Sequence, residues 1–499
     1  MAGTPSRRRF MKTLAGGLLT GAAAESLLEL LPSRAADAQV LPDIVRFTPD
    51  MEPVVRWIEE TPRADALRKA IDALQGGLPF RKLLGGVFLA GIRNIKPRPV
   101  GFKFHAVLAV NAAHQLALDA PQSERLLPLL WALDNFKASQ EQDVKEGDWS
   151  LAPVKEANVP SPSRARAMFT EAMERWDDEA ADTAVAGLCR AAGASEVLEI
   201  LWPYAARDWQ NIGHKIIFAA GAARTLRTIG WEHAEPVLRS LVYGILHGGK
   251  SESAAPYDTN RELAAQARAD WAAGTPDAKA TLDLLETLRK ATPAEAAKAA
   301  LDLLNRGVAP RSLWDGILLA ASDLLMRSPG IVALHAVTAA NSLHAAFEES
   351  GRDATRLLCL LQAASWTALF REAVRGRNGL PDGPRIETLE RTPQGEAHDA
   401  ADVFATLRKD RLAAARMVVA SAECGHTPAE FIDEARRLVF AKGNDSHDYK
   451  YAAALFEEHS RASPQWRGRL LASGVYQLPG SGDPDSSYFT RAREALQGL

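Results

Sequence analysis

Two stretches of this chain, residues 66–114 and 296–344, align without a gap at an offset of 230, and both end on the same histidine-bearing cassette. The first reads His105-Ala-Val-Leu-Ala-Val-Asn111-Ala-Ala-His114 and the second His335-Ala-Val-Thr-Ala-Ala-Asn341-Ser-Leu-His344. Asp72/Asp302, Gly77/Gly307, Arg81/Arg311, Gly86/Gly316 and Ala90/Ala320 are identical too, and apolar periodicity alone does not align aspartate, arginine and histidine. After a one-residue slip the match runs into Arg125-Leu-Leu and Arg356-Leu-Leu; further on His214 falls on His447 and Val242-Tyr243 on Val475-Tyr476. A unit of about 230 residues is far longer than the roughly 20–50 residues of solenoid repeats. The expectation is two homologous halves of one assembly, packed about a pseudo-two-fold axis, with each paired residue near the axis appearing twice in one cavity.

Ala and Leu dominate, and apolar residues recur at three and four over windows such as 179–192, 216–246, 277–305 and 402–421, with little strand-like alternation. The fold class is therefore all-α, with eight or nine helices per half. Breakers fall at Gly76-Gly77, Lys96-Pro97, Ser328-Pro329-Gly330 and Leu478-Pro479-Gly480. Residues 39–247 form the N-terminal half, 248–275 a polar connection and 276–499 the C-terminal half. Each half carries one long irregular segment at matching places, 143–164 with Trp149 and 374–398, and loops of that length are commonly lids or binding loops. Trp149 is open to two roles, a substrate-facing aromatic or an indole anchoring a surface loop.

Residues 1–38 have the form of a twin-arginine export signal: Ser6-Arg7-Arg8-Arg9-Phe10-Met11-Lys12, an apolar stretch to about Leu31, and Ala36-Asp37-Ala38 before Gln39. The expected location is the periplasm, with the twin-arginine translocase as a partner during export. Cleavage leaves 54 basic against 59 acidic residues, which offers no footprint for nucleic acid. No later apolar run is read as a membrane span, so the mature form is expected to have no membrane partner. Cys189, Cys359 and Cys424 form no CxxC pair and do not align between the halves, so a disulfide framework is not expected.

His105, His214, His335 and His447 together offer four neutral imidazoles, a set suited to iron, copper, nickel or zinc and not to calcium or magnesium. Helical spacing divides the cassette. His105 and His114 are nine residues apart, about half a rotation at 100° per residue, so a straight helix cannot aim both at one point. Asn111 and His114 do share a face, as do Asn341 and His344. They are assigned a supporting place behind the metal ligands, or equally a helix-packing hydrogen bond. Lys450 stands one turn from His447 and on its face, where the first copy has Ile217 opposite His214. A buried ammonium beside a metal is repelled, so such a lysine is either neutral or a carbamate that ligates through oxygen. The alternative is that Lys450 snorkels to solvent or pairs with Glu457 or Glu458.

The strings Leu334-His335-Ala336-Val337-Thr338 and His447-Asp448-Tyr449-Lys450-Tyr451 resemble the His-Ala-Val-Thr and His-x-x-Lys-(Tyr/Phe) signatures of the questin-oxidase-like family. The resemblance implies an all-α fold, oxygen-dependent cleavage of polycyclic quinones or related polyketides, and a mononuclear non-haem iron held by histidines. Carried over by position it covers His335, His447 and Lys450, with His105 and His214 as their first-half counterparts. It makes the chain an Fe(II) oxygenase acting with dioxygen on a small aromatic, phenolic or quinone-type substrate, with ring or C–C cleavage. Zinc or copper fits the same donors, and NADPH stays open as an external reductant. There is no Gly-rich dinucleotide turn, no Gly-x-Ser-x-Gly elbow and no His-Glu-x-x-His helix. The readings from other classes are an exported helical binding or scaffold protein whose histidines merely pack, and a structural or hydrolytic zinc or copper site.

Overall fold

In the computed structural model, residues 44–98, 102–390, 398–423 and 428–497 are described, so the export-signal segment and Cys424 lie outside the described residues. Among the described residues there are 22 helices, 74% of the chain is helical, and no strand forms. In chain order the helices are α1 Glu52–Glu60, α2 Arg63–Gln75, α3 Phe80–Asn94, α4 His105–Leu118, α5 Leu127–Lys145, α6 Pro162–Arg175, α7 Asp178–Ala191, α8 Ala194–Ala205, α9 His214–Ile229, α10 Ala234–Leu246 and α11 Ala255–Ala264. They continue with α12 Ala278–Leu288, α13 Pro293–Asn305, α14 Pro310–Arg327, α15 Ile331–Glu349, α16 Asp353–Asn378, α17 Ala400–Thr406, α18 Arg411–Glu423, α19 Pro428–Lys442, α20 Ser446–Arg461, α21 Pro464–Ser473 and α22 Ser487–Leu496. Ten of these described helices thus precede the 248–275 segment and eleven follow it, more than the apolar periodicity suggested, because short helices such as α17 span too few turns to show a period.

Local chemistry sets these boundaries. Helix α13 opens on a capping box in which Thr292 accepts from the Glu295 N–H and the Glu295 carboxylate accepts from the Thr292 N–H. Helix α20 opens on another, built by Asp445 and Asp448. Residues 248–275 are more than a connection. Helix α11 packs on α13 and α16 and buries Tyr257, Asn260 and Leu263, because the segment is apolar at one helical face despite its polar composition. The apolar helix α16 corrects the expectation that no later run reaches membrane-spanning length: Asp353–Arg377 passes by length and composition, but 83% of its apolar window is buried against neighbouring helices. It is a core helix, and one apolar core runs through both sequence halves.

Contacts recur at positions aligned by the 230-residue offset. A Cβ on Gly86 would stand 2.8 Å from Val54 Cγ1, and one on Gly316 would stand 3.3 Å from Leu284 Cδ2, and 54 aligns with 284. At both places the missing side chain lets the crossing helix approach closely, and an added Cβ would press on it. Arg81 donates to the Ile229 carbonyl at the end of α9, and Arg311 to the Arg461 and Ala462 carbonyls at the end of α20. The ion pair Glu59–Arg93 has its aligned counterpart in Arg289–Asp323, the same place with the charges exchanged. Each pair also fastens a long irregular segment. The Leu151 N–H donates to the Arg93 carbonyl (2.8 Å), while the Ile386 N–H donates to Asp323 Oδ1 (3.1 Å) and Glu387 pairs with Arg289. Trp149 packs against the core beside this anchor, the anchoring role of the two its sequence position allowed.

Candidate metal centre

Four helices bring one histidine each to a single point. Helix α4 packs on α20, α20 on α15, α15 on α9, and α9 back on α4, so the four close a ring. His105 and His214 are the first residues of α4 and α9, His447 is the second of α20, and His335 the fifth of α15. All four are buried, and their ligand nitrogens lie within 4.8 Å of one another. Ring centroids follow the cycle His105–His214 4.8 Å, His214–His335 4.5 Å, His335–His447 5.1 Å and His447–His105 4.8 Å. The sequence-aligned partners therefore stand diagonally across the ring, and exchanging the two segments maps it onto itself. At the far ends of α9 and α20 the aligned positions Arg224 and Glu457 meet in a salt bridge of 2.6 Å.

The imidazole orientations are fixed from behind. His335 Nδ1–H donates to the Ile331 carbonyl one turn earlier (2.6 Å), His214 Nδ1–H to the Asn211 carbonyl (2.5 Å), and His447 Nδ1–H to Asp445 Oδ1 (3.1 Å). A neutral ring that commits its proton at Nδ1 carries a lone pair at Nε2. His214 Nε2 lies 2.8 Å from His105 Nε2 and 3.2 Å from His335 Nε2, while His447 Nε2 has no hydrogen-bond partner among the described residues. His214 and His335, both committed at Nδ1, bring two lone pairs to within 3.2 Å; these repel unless a cation lies among them, and carbonyl or carboxylate acceptors on the remote nitrogen are the usual backing of metal-bound histidine. Burial is the first cause that holds His105, His214 and His335 well below the ordinary histidine pKa, with the Lys450 charge and the neighbouring imidazoles adding to it. His447 is lowered by the same burial, partly offset by Asp445.

The platform under His214 is strained. Asn211, Ile212 and Gly213 all adopt positive φ, at 64°, 51° and 81°, and a β-branched residue there is an outlier that must be held in place. Asp208 holds it, accepting from the Gln210 N–H (2.8 Å), Lys215 Nζ (2.8 Å) and Ser251 Oγ (3.1 Å). Gly213 is also pressed against α15, where an added Cβ would come within 2.7 Å of Ala339 Cβ. Gly213→Ala is expected to cost about 2–4 kcal/mol, from the left-handed backbone and the clash together. Urea unfolding checks this, and adding Ala339→Gly recovers only the clash component.

Lys450 is buried on the His447 face of α20, and its Nζ has no hydrogen-bond partner among the described residues. It neither snorkels nor pairs with Glu457 or Glu458, whose carboxylates are taken by Arg224, Arg461, Asn341 and His344. Burial brings its pKa down to about 7. The supporting place assigned to Asn111, His114, Asn341 and His344 is corrected by their partners. Asn111 donates to Gln115 (3.1 Å), His114 lies against Phe80, Asn341 donates to Glu457 and Glu458, and His344 Nδ1–H donates to Glu458 (2.7 Å). These are helix-packing contacts. His344 stands nine residues beyond His335, about 13 Å further along the helix. The residues that do back the cluster, Asn211, Ile331 and Asp445, were not singled out from sequence. Two of them act through main-chain carbonyls that carry no side-chain signal, but Asp445 was visible as the acidic N-cap two residues before His447.

Comparison with protein-family models, with curated proteins and with solved structures finds no match to this chain. The cluster is thus characterised by its own geometry: a buried set of four histidines able to hold a metal ion.

Proposed function

We propose that the four imidazoles hold one transition-metal ion, iron(II) in the working enzyme, and that the protein is an oxygenase acting on a phenolic or quinone-type aromatic substrate with ring or C–C cleavage. The observation that carries the metal is the convergence of four buried imidazoles, three of which, His214, His335 and His447, commit Nδ1 to an acceptor and turn a lone pair at Nε2 inward. A scaffold protein has no use for that repulsion. Two imidazoles bound at right angles at about 2.1 Å place their nitrogens about 3.0 Å apart, against about 3.4 Å in a tetrahedron. The 2.8 and 3.2 Å separations are of the size that ligands to one shared ion show. Iron versus copper or zinc, and the substrate class, rest on the motif resemblance around His335 and His447.

Lys450 completes the reading. Its neutral amine adds to carbon dioxide with release of one proton, and the resulting carbamate places an anionic oxygen donor beside the imidazoles. The N-termini of α4, α9 and α20 converge there, and their partial positive charge stabilises that anion. A bound ferrous ion supplies one-electron chemistry toward dioxygen. The chain itself orients the imidazoles, keeps them neutral and excludes water. Insertion of both oxygen atoms needs no further electrons, whereas insertion of one needs two from a donor such as NADPH. The chemistry leaves room for export by the twin-arginine route, which carries folded proteins with a cofactor already installed. The aligned contacts at Gly86/Gly316, Arg81/Arg311 and Glu59–Arg93/Arg289–Asp323 support descent of the two halves from one duplicated unit.

The test is metal analysis of anaerobically handled protein, then oxygen uptake against catechols and anthraquinols with and without NADPH. About one equivalent of iron with substrate-dependent uptake is the expected result; protein that retains no transition metal overturns the assignment. Acid sensitivity follows from the lowered histidine pKa values. The unfolded chain takes up protons near the ordinary value of 6.5 that the folded cluster refuses, so the histidine contribution is present above pH 6.5 and lost as pH falls below it. Calorimetry of metal-free protein should show Tm falling between pH 7 and 5, with a shallower fall in His335→Asn.

A further inference from the structure

We infer that Asp445 is a positioning residue that acts on the metal centre through His447. Given the proposed reading of the cluster as an iron site, its negative charge makes His447 a stronger donor than His214 or His335 and lowers the reduction potential of the bound iron.

The histidines are not backed alike. His214 and His335 donate Nδ1–H to the uncharged main-chain carbonyls of Asn211 (2.5 Å) and Ile331 (2.6 Å), whereas His447 donates to Asp445 Oδ1 (3.1 Å). The Asp445 side chain is 63% exposed, which keeps the carboxylate ionised near neutral pH, and no lysine or arginine lies within salt-bridge range of it among the described residues. Solvent screens that charge at long range, so its effect is concentrated on the imidazole it touches. A carboxylate on the remote nitrogen draws the Nδ1 proton and leaves more electron density at Nε2 than a carbonyl does. A more anionic ligand favours ferric over ferrous iron, so the potential falls. The ferrous ion then gives up an electron to dioxygen more readily, the direction an oxygenase needs.

Asp445 is also the N-cap of α20. Its Oδ1 accepts from the His447 N–H (2.6 Å), and the Asp448 carboxylate holds the turn by accepting from the N–H groups of Asn444 (2.8 Å) and Asp445 (3.3 Å). Capping alone does not account for the residue, because asparagine and serine cap about as well as aspartate and a cap needs neither a charge nor a contact with the ring. In the first stretch Asn211 stands where Asn444 stands and Ile212 takes the place of Asp445. That copy turns to the Asn211 carbonyl for the same imidazole proton, so the charge behind His447 is absent behind its aligned partner.

Asp445→Asn separates charge from geometry, because an amide oxygen accepts the same two N–H bonds that Oδ1 accepts. Iron-reconstituted parent, Asp445→Asn and Asp445→Ser are compared by anaerobic redox titration followed by EPR, with iron content and Tm measured on the same samples. Asp445→Asn is expected to keep its iron and its Tm and to shift the ferric-to-ferrous ratio at a given potential at least about tenfold toward ferrous, a rise of about 59 mV in midpoint potential. Asp445→Ser keeps a capping oxygen that is too short to reach the ring. It should raise the potential as far and also broaden the ferric EPR signal, as His447 loses its fixed orientation. A shift below about twofold in both variants with iron retained overturns the role of Asp445 and leaves the metal site standing. Loss of iron and Tm in both variants, with no shift in the iron that remains, overturns it too and makes Asp445 a helix cap only. Parent protein that takes up no iron overturns the metal site and this role together.

Discussion

His335→Ala protein is expected to emerge from anaerobic purification with iron reduced from about one equivalent to below about 0.2, and with oxygen uptake reduced at least 10²-fold. Position His335 is the most sensitive of the four because it is wholly buried, backed by the Ile331 carbonyl, and set within a helix whose geometry depends on no neighbouring turn. Truncation there removes one donor and leaves a cavity of imidazole size between α9 and α15, which the packed Ala339–Gly213 contact prevents from collapsing. The metal-free variant gives a second readout. Removal of one of the mutually repelling lone pairs relieves the metal-free cluster, so its Tm should fall less than that of an ordinary large-to-small core substitution, which costs about 2–5 kcal/mol. Metal binding is lost while folding is largely kept. A variant that retains full iron and full uptake would show that the cluster is a packing feature.

Lys450→Met is expected to act in opposite directions on the metal-free and metal-loaded protein. In the metal-free state the folded amine titrates at about 7 against 10.5 for a free lysine. The unfolded chain therefore binds more protons between those values, and stability rises with pH across that window. Below pH 7 both states are protonated and the full cost of a buried ammonium is present. Methionine removes that cost, so the variant should be more stable than the parent at pH 6 by about 2–5 kcal/mol, with the gap closing toward pH 10. In the loaded state the carbamate ligand is missing, so iron affinity should fall by about 10–100-fold. Added bicarbonate should raise iron occupancy in the parent and leave Lys450→Met unchanged. Iron affinity that does not respond to the substitution would remove the lysine from the coordination sphere.

The all-α class and the helical boundaries at Thr292, Asp445 and the Gly/Pro breakers were legible because capping and turn chemistry are local. The choice of His105, His214, His335 and His447 was legible because they recur as aligned pairs and because half a helical rotation separates His105 from His114, the aligned pair His114 and His344 being left to packing. Helix number is undercounted from sequence where helices are too short to show a period. The long irregular segments have the length of lids, yet their main chains are pinned at Arg93 and Asp323 through contacts that length alone does not reveal.

The linear sequence, through local periodicity, capping and the 230-residue match, determined which residues are helical and which four histidines recur. It also singled out Lys450, which aligns with Ile217 of the first stretch. Only the tertiary structure decided how those residues meet. The ring α4–α20–α15–α9 sets aligned histidines on opposite corners, the Asn211 and Ile331 carbonyls fix their tautomers, and the left-handed turn at 211–213 aims His214. It also set His344 apart from the four-histidine cluster and gave it to Glu458, 114 residues distant. Side chains from helices more than a hundred residues apart converge through packing, and packing depends on the whole set of interfaces, which no local pattern encodes.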